Sequence, residues 1–337
     1  MGTVQLQDKL FDEIKLKLPP HHSLVIAISE LLDLSLDSTY RRIRGEKLLV
    51  FDEIHKLALE FNISLDKIFQ IDSDAFLFNG RTINNSDFNY EEWLKLCIYT
   101  LQMIKDNKPN HMYYLAKEIP FFYYFLIPEI AAFKSYFIMK SVLDYEELKQ
   151  VKFSITDDFS YYSSWCKKIS DLFSSIPSTE IWHVENIRST INQIEYYRLT
   201  GSLNSDNDAL ILYDKLLELI NHIERQAECG FKFRHDQENG TSEVIHKMFI
   251  NELTMGDNMQ FIEAGDARIT YINHSTINFI ATYDESFNQY TKQNIDTIAH
   301  KSTPISVQNQ KDRLMFFNRL REKVVKARRN VEKVADL

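Results

Sequence analysis

From Leu24 to Phe69 the chain reads LVIAISELLDLSLDSTYRRIRGEKLLVFDEIHKLALEFNISLDKIF, with apolar residues returning every three or four positions between short polar breaks. That spacing predicts a series of short amphipathic helices and excludes strands, which would alternate by two. An upstream helix from Val4 to Leu18 shares the pattern through Leu6, Leu10, Phe11, Ile14 and Leu18, and Pro19 and Pro20 end it. The second helix is expected from about Ser23 to Leu34, burying Leu24, Ala27, Ile28, Leu31 and Leu32. Ser35 or Asp37 can cap a third, because either side-chain oxygen can accept from a free N–H of the first turn. Gly45 stops this helix near Arg44, since glycine tolerates a left-handed cap. A fourth helix from Phe51 to Phe61 buries Ile54, Leu57, Ala58 and Phe61, and Ser64 caps a fifth through Phe69. Residues 1–70 are therefore expected to form a five-helix domain.

The third helix carries the chemistry. An outer face offering Ser38, Thr39, Tyr40, Arg41 and Arg42 suits the major groove of double-stranded DNA. There Arg donates two parallel bonds to guanine, and Ser or Thr serves a base edge or a phosphate. Arg44 and Lys47 would lie near backbone phosphates. The plainer reading is a solvated face whose arginines pair with Asp37 or Glu46. RRIRGEK resembles the end of the recognition helix in phage-repressor-like (Xre-type) helix-turn-helix domains, and FDEIHKLALEFNISLDKIF resembles their fourth and fifth helices. Tyr40 and Ile43 fall one place later than the usual apolar positions, which predicts a turn longer by a residue. The combination of PPHHSL, DSTYRRIRGEK, SLDKIF and KEIPFFYYFLIPEIAAFKSYF is similar to Bacteroidetes helix-turn-helix proteins of about this length. The resemblance implies a helix-turn-helix transcriptional regulator of bacterial type. A homodimer follows from the mechanism, since one short helix reads few base pairs and paired half-sites are the usual remedy.

Charge is distributed rather than uniformly helpful to this reading. The whole chain carries −9, and residues 1–72 hold 9 basic against 12 acidic side chains, so positive charge is local to the third helix. Residues 311–333 reverse the balance, with 9 basic and 3 acidic.

Beyond a polar linker at 71–89, in which Phe76, Leu77 and Phe78 suggest docking, the chain reads as helices. Trp93, Leu94, Cys97, Ile98, Leu101 and Ile104 mark a helix from Tyr90 to Asp106 that Pro109 cannot continue. Residues 113–143 are the most apolar stretch, but Lys117, Glu118, Pro120, Pro128, Glu129 and Lys134 interrupt it, so it is not a membrane span. Its aromatics form a helical core, or else Phe121, Phe122, Tyr123, Tyr124, Phe133 and Tyr136 line a pocket for a small-molecule or peptide effector. Further helices are expected near 145–150, 161–174, 178–199 and 206–229, the third capped by Ser178 with Glu180 in its first turn. There is no 34-residue self-similarity, so an irregular bundle is expected over 90–230 rather than tetratricopeptide repeats. Residues 231–337 read as an α+β region. Segments 258–263, 268–273 and 276–283 suggest a small antiparallel sheet, and Val307 to Val334 a long basic helix. The apolar seam of that helix, Met315, Phe316, Leu320, Val324, Ala327 and Val331, predicts docking or dimerisation. The expected fold class is thus mainly α, a helix-turn-helix domain followed by an irregular helical bundle with a small antiparallel β element near 258–283.

Nothing in the sequence points to catalysis, a metal or a cofactor. The ten histidines show no compact ligand spacing, and His235 with Asp236 and Glu238 reads as a polar loop. With 8 glycines, phosphate-cradling loops are scarce. Cys97, Cys166 and Cys229 are isolated, which fits a reducing compartment, and Cys166 beside Lys167 and Lys168 is either activated or simply buried. The amphipathic, acid-containing N-terminus is unlike a secretory signal, and Leu6 argues against myristoylation. The expectation is a cytoplasmic, non-catalytic DNA-binding regulator. A protein-interaction scaffold of the same shape and an effector-responsive switch are the alternatives.

Overall fold

The computed structural model describes residues 3–18, 22–61, 63–69, 76–80, 89–236, 243–252 and 256–335. They form two compact units, Met1–Ala75 and Phe76–Leu337. The first contains α1 (Thr3–Lys17), α2 (Leu24–Leu32), α3 (Leu36–Ile43), α4 (Phe51–Glu60) and α5 (Leu65–Phe69). Its core is small: Leu10, Phe11, Ile14, Ile28, Leu32, Leu57 and Ile68, all but the last among the residues that the helical spacing selects, while Leu18, Leu24, Leu31, Ile54 and Phe61 pack against it only partly buried. Ser35 caps α3 by accepting from the Ser38 N–H, and Gly45 follows in the left-handed region at φ 74°.

The second unit departs from expectation. It holds a seven-stranded mixed sheet, so the chain is mixed α/β rather than mainly α, and the antiparallel element near 258–283 is one side of that sheet. The elements run α6 (Tyr90–Asp106), β1 (Asn110–Ala116), a 3₁₀ turn (Phe121–Leu126), α7 (Pro128–Phe137), α8 (Ser160–Ser174), β2 (Ser178–Trp182), α9 (Arg188–Leu199) and α10 (Asp206–Cys229). They continue with β3 (His246–Ile250), β4 (Met259–Ala264), β5 (Ala267–Asn273), β6 (Phe279–Thr282), α11 (Glu285–His300), β7 (Thr303–Pro304) and α12 (Gln310–Ala335). The sheet order is β6-β5-β4-β1-β2-β3-β7. β1, β2 and β3 are parallel, with helices in the connections, while β4, β5 and β6 pair antiparallel beyond β1 and β7 antiparallel to β3. Residues 90–230 and 231–337 thus share one sheet.

The physical reason for the misreading lies in β1 and β2. Strands covered on both faces carry no polar alternation, and five to seven residues are too few to separate a buried strand from a buried helical turn by periodicity. All five residues of β2 are buried. Ser178 and Glu180, expected as the cap and first-turn acid of a helix, lie instead in this central strand, and the helix begins ten residues later at Arg188. One face of the sheet packs Met112, Tyr114, Trp182, Met248 and Ile262 into the main core. The other packs Leu115, Ile181 and Phe261 against Ile295 of α11.

The seam of α12 is occupied within the chain except at Met315, which is exposed. Phe316, Phe317, Leu320, Val324 and Val331 are buried in the main core. Its cations meet acids of the same unit: Arg328 with Asp214 at 2.7 Å, Arg321 with Glu224, Arg313 with Glu228 at 3.7 Å, Lys323 with Glu185 at 2.5 Å and Arg319 with Glu252 at 2.6 Å. The basic helix is therefore a covering element of the body, not a spare seam for pairing. At the other end of the unit, Phe76 and Phe78 dock edge-on against Phe287, and Asn79 bridges to Ala281 of β6. Residues 71–75 and 81–88 of the linker lie outside the described residues. No helix among the described residues is long and apolar enough to cross a membrane.

Candidate nucleic-acid interface

Between α2 and α3 the chain turns in three residues, Asp33 to Ser35. Asp33 adopts the left-handed region at φ 51°, and the Leu34 N–H donates to the Ser29 carbonyl at 2.9 Å. α2 therefore stops at Leu32, two residues before the sequence suggests. The later apolar position at Tyr40 does not lengthen the turn. Thr39 takes the inward place instead, fully buried, its hydroxyl donating to the Ser35 carbonyl at 3.1 Å. Tyr40 faces outward, half exposed.

The basic cluster divides accordingly. Arg42 is buried, and its guanidinium holds Glu53 of α4 in a fork, Nε to Oε2 at 3.0 Å and Nη2 to Oε1 at 2.6 Å. Nη1 donates to the Ser38 hydroxyl at 2.7 Å and the Ser38 carbonyl at 3.2 Å, which engages Ser38 as well. Glu53 Oε2 also accepts from the Val50 N–H at 3.1 Å, closing the first turn of α4. Burial alone would raise the Glu53 carboxyl, but Arg42 and the Val50 N–H outweigh it and hold it below its ordinary value. On the far side of α3, Gln7 of α1 donates to the Arg42 and Lys47 carbonyls at 2.7 and 3.0 Å and accepts from the Leu49 N–H at 2.8 Å. One side chain thereby satisfies the end of α3 and the loop after it. Gln7 and Glu53 are positioning residues that the sequence reading missed; their only sequence signal is that Glu53 stands three residues after the start of the fourth helix's cap.

What faces outward is a stripe of Asp37, Tyr40, Arg41 and Arg44, at the three-and-four spacing of one helical face, with Lys47 just beyond it. Arg41 and Arg44 approach Glu46 at 3.8 and 3.2 Å, with all three side chains about half exposed. Exposed pairs of this kind are weak, so both guanidinium groups can be taken over by a stronger anion. Of the seven sequence candidates, Tyr40, Arg41, Arg44 and Lys47 are presented to solvent, whereas Ser38, Thr39 and Arg42 hold the helix in place. Exposed Leu36, Leu48, Val50 and Phe51 belong to the same segment.

The aromatic candidates of the second unit lie mostly in its core. Tyr123 is ring-packed on Phe173 and Trp182, and Phe133 and Tyr136 on Phe153 and Tyr197. Phe122 lies against Phe173. Phe121 and Tyr124 line a cavity of about 40 Å³ beside Lys134. Lys134 is buried, donating to Thr190 and Gln193 at 2.8 and 2.7 Å, and burial lowers its ammonium to about 7. A space of that size holds a water molecule rather than an organic ligand.

At the sheet centre Glu180 is fully buried, accepting from Tyr123, Ser178 and Trp182, with Lys232 Nζ at 3.5 Å and His246 Nδ1 at 3.7 Å. Lys232 stands three residues before His235, in a polar stretch of the sequence, yet it is 1% exposed. Cys166 is buried, and burial pushes its thiol up to about 12, so the adjacent lysines do not activate it. Among the described residues no three His, Cys, Asp or Glu side chains converge to hold a metal ion. No protein-family model, curated protein or solved structure matches the chain.

Proposed function

We propose that the first unit reads double-stranded DNA and that the protein is a non-catalytic, cytoplasmic transcriptional regulator acting as a homodimer. The observation that carries this reading is the three-residue turn that presents α3 with Tyr40, Arg41 and Arg44 outward while Arg42 anchors it inward. Arg41 and Arg44 supply base-edge or phosphate contacts, Tyr40 an apolar contact, and Lys47 a phosphate contact. The dimer is required because one eight-residue helix reads few base pairs. A second reading, a protein-interaction scaffold, is favoured by exposed Leu36, Leu48, Val50 and Phe51 beside the stripe.

The test is binding to genomic fragments enriched by the protein itself, measured by fluorescence anisotropy across a salt series. Arg41→Ala with Arg44→Ala is expected to reduce affinity by at least about tenfold and to flatten the slope of log K against log salt by about 2. Its circular dichroism should match the parent, because neither side chain supports the core. Unchanged affinity and slope would exclude α3 as the reader and favour the scaffold.

A further inference from the structure

A cavity of about 610 Å³ opens in the second unit between α7, α8, the segment 155–159 and residues 234–236. Its origin is legible in α8. Ser160, Ser163, Ser164, Lys167, Ser170 and Asp171 all line it, and their spacing makes them one helical stripe. Opposite stand Pro128, Ala131 and Ala132 of α7. Two helices that meet through serine and alanine cannot fill the space that larger side chains would close. The volume lies within the range of small-molecule sites.

The lining has two chemical halves. Leu126, Ala131, Ala132, Ile155 and Phe159 offer an apolar surface, and the sulfur of Cys166 adjoins it. The charged lining comprises four carboxylates, Glu129, Asp157, Asp171 and Asp236, against two fixed cations, Lys167 and Arg234; Glu129 also meets Lys215 from outside the lining at 3.1 Å, which leaves one negative charge in excess, and Asp157 is the carboxylate that no ion pair engages among the described residues. Arg234 is already committed to Asp171 at 3.4 Å and Asp236 at 3.2 Å, so it does not present a free anion site. His235 is likewise held by Glu218 at 2.9 Å. Ser170, 6% exposed, also lines the cavity.

We propose that this cavity binds a small organic amine, with its apolar body against α7 and Phe159 and its protonated nitrogen among the carboxylates. The site belongs wholly to the second unit and stands independently of the DNA-reading assignment. Three probes share one ring and differ in charge: tryptamine, 3-methylindole and indole-3-acetate. In calorimetric titrations of the full chain, tryptamine is expected to bind with a Kd of roughly 0.1–1 mM, as its size allows. Indole-3-acetate should bind at least about tenfold more weakly, since like charges repel across a partly desolvated site. Ser163→Trp, which fills the mouth from an exposed position, should abolish the tryptamine heat without lowering the melting temperature. Asp171→Asn should weaken tryptamine severalfold and leave 3-methylindole unaffected. Equal affinity for the amine and the acid, no tryptamine heat up to about 5 mM, or undiminished binding by Ser163→Trp would each overturn the proposal.

Discussion

Lys232→Met is expected to destabilise the second unit by about 3–5 kcal/mol, the cost of leaving a buried partner charge uncompensated. Methionine matches the length of the lysine stem, so the loss is of charge rather than of packing. Glu180 and Lys232 are 0% and 1% exposed, and the ammonium also sits 3.6 Å from the centre of the Phe173 ring. Burial alone would raise the Glu180 carboxyl, yet His246, Lys232, Ser178 and Trp182 together hold it below its ordinary value. Burial pushes Lys232 down to about 8, which leaves it protonated at neutral pH. Without Lys232, three neutral donors remain to hold a buried carboxylate. Glu180→Gln added to Lys232→Met should recover most of the loss, because the amide oxygen can still accept from Tyr123 and Ser178 while no charge is left. All three tryptophans, Trp93, Trp165 and Trp182, lie in this unit, so urea unfolding followed by tryptophan fluorescence reports on it alone. A single variant as stable as the parent would show that the pair contributes nothing net.

The same centre fixes the acid limit of stability. Burial lowers His246 and His222 to about 4. An unfolded chain, with histidines near the ordinary 6.5, binds more protons than the folded one between about pH 6.5 and 4. Stability is therefore full above that window and falls as the pH drops through it, and the depressed Glu180 adds to the loss at still lower pH. His246→Phe should flatten the decline between pH 6 and 4. An unaltered pH profile of the urea midpoint would show that His246 is not held neutral.

The two units differ in how much of them the sequence discloses, and the difference is one of distance along the chain. In the first unit the determinants are local: Leu10, Ile14, Ile28 and Leu57 repeat at helical spacing, Ser35 caps, and Gly45 ends. Even there, adjacent residues on a short helix part company. Arg41 and Arg42 are equivalent in composition but about 100° apart around α3, and only Glu53, eleven residues later, decides which turns inward. In the second unit the determinants are remote. Glu180 reads as a first-turn acid until Lys232 and His246 are brought to it, 52 and 66 residues further on, by the pairing of β2 with β3. A lysine in FKFRHDQENGT reads as solvated because buried lysines are rare without a partner, and the partner is not local. For α12 the seam and the basic face were both legible, but whether they meet another chain or α10 of the same chain depends on tertiary packing.

If α3 reads DNA as proposed, Arg42→Ala is expected to weaken binding at least as much as the Arg41 and Arg44 pair does, but through the fold. Its side chain is 4% exposed and that of Glu53 is 15%, so truncation strands a carboxylate that also closes α4 and releases Ser38. The cost is about 3 kcal/mol, against a total stability of roughly 4–11 kcal/mol for a unit of this size. Arg42→Lys should not rescue it, because an ammonium cannot make the two parallel bonds to Glu53 and reach Ser38 as well. Glu53→Gln, which keeps the shape and one acceptor oxygen able to take the Val50 N–H and the Arg42 Nε–H, should lose less. Hydrogen exchange over residues 24–60 of the full chain separates the two routes to lost binding. Arg42→Ala should exchange faster throughout α2, α3 and α4, whereas Arg41→Ala with Arg44→Ala should exchange as the parent does. If Arg42→Ala loses DNA binding with its exchange unchanged, then Arg42 leaves Glu53 to meet DNA, and the inward anchor assigned to it here is wrong.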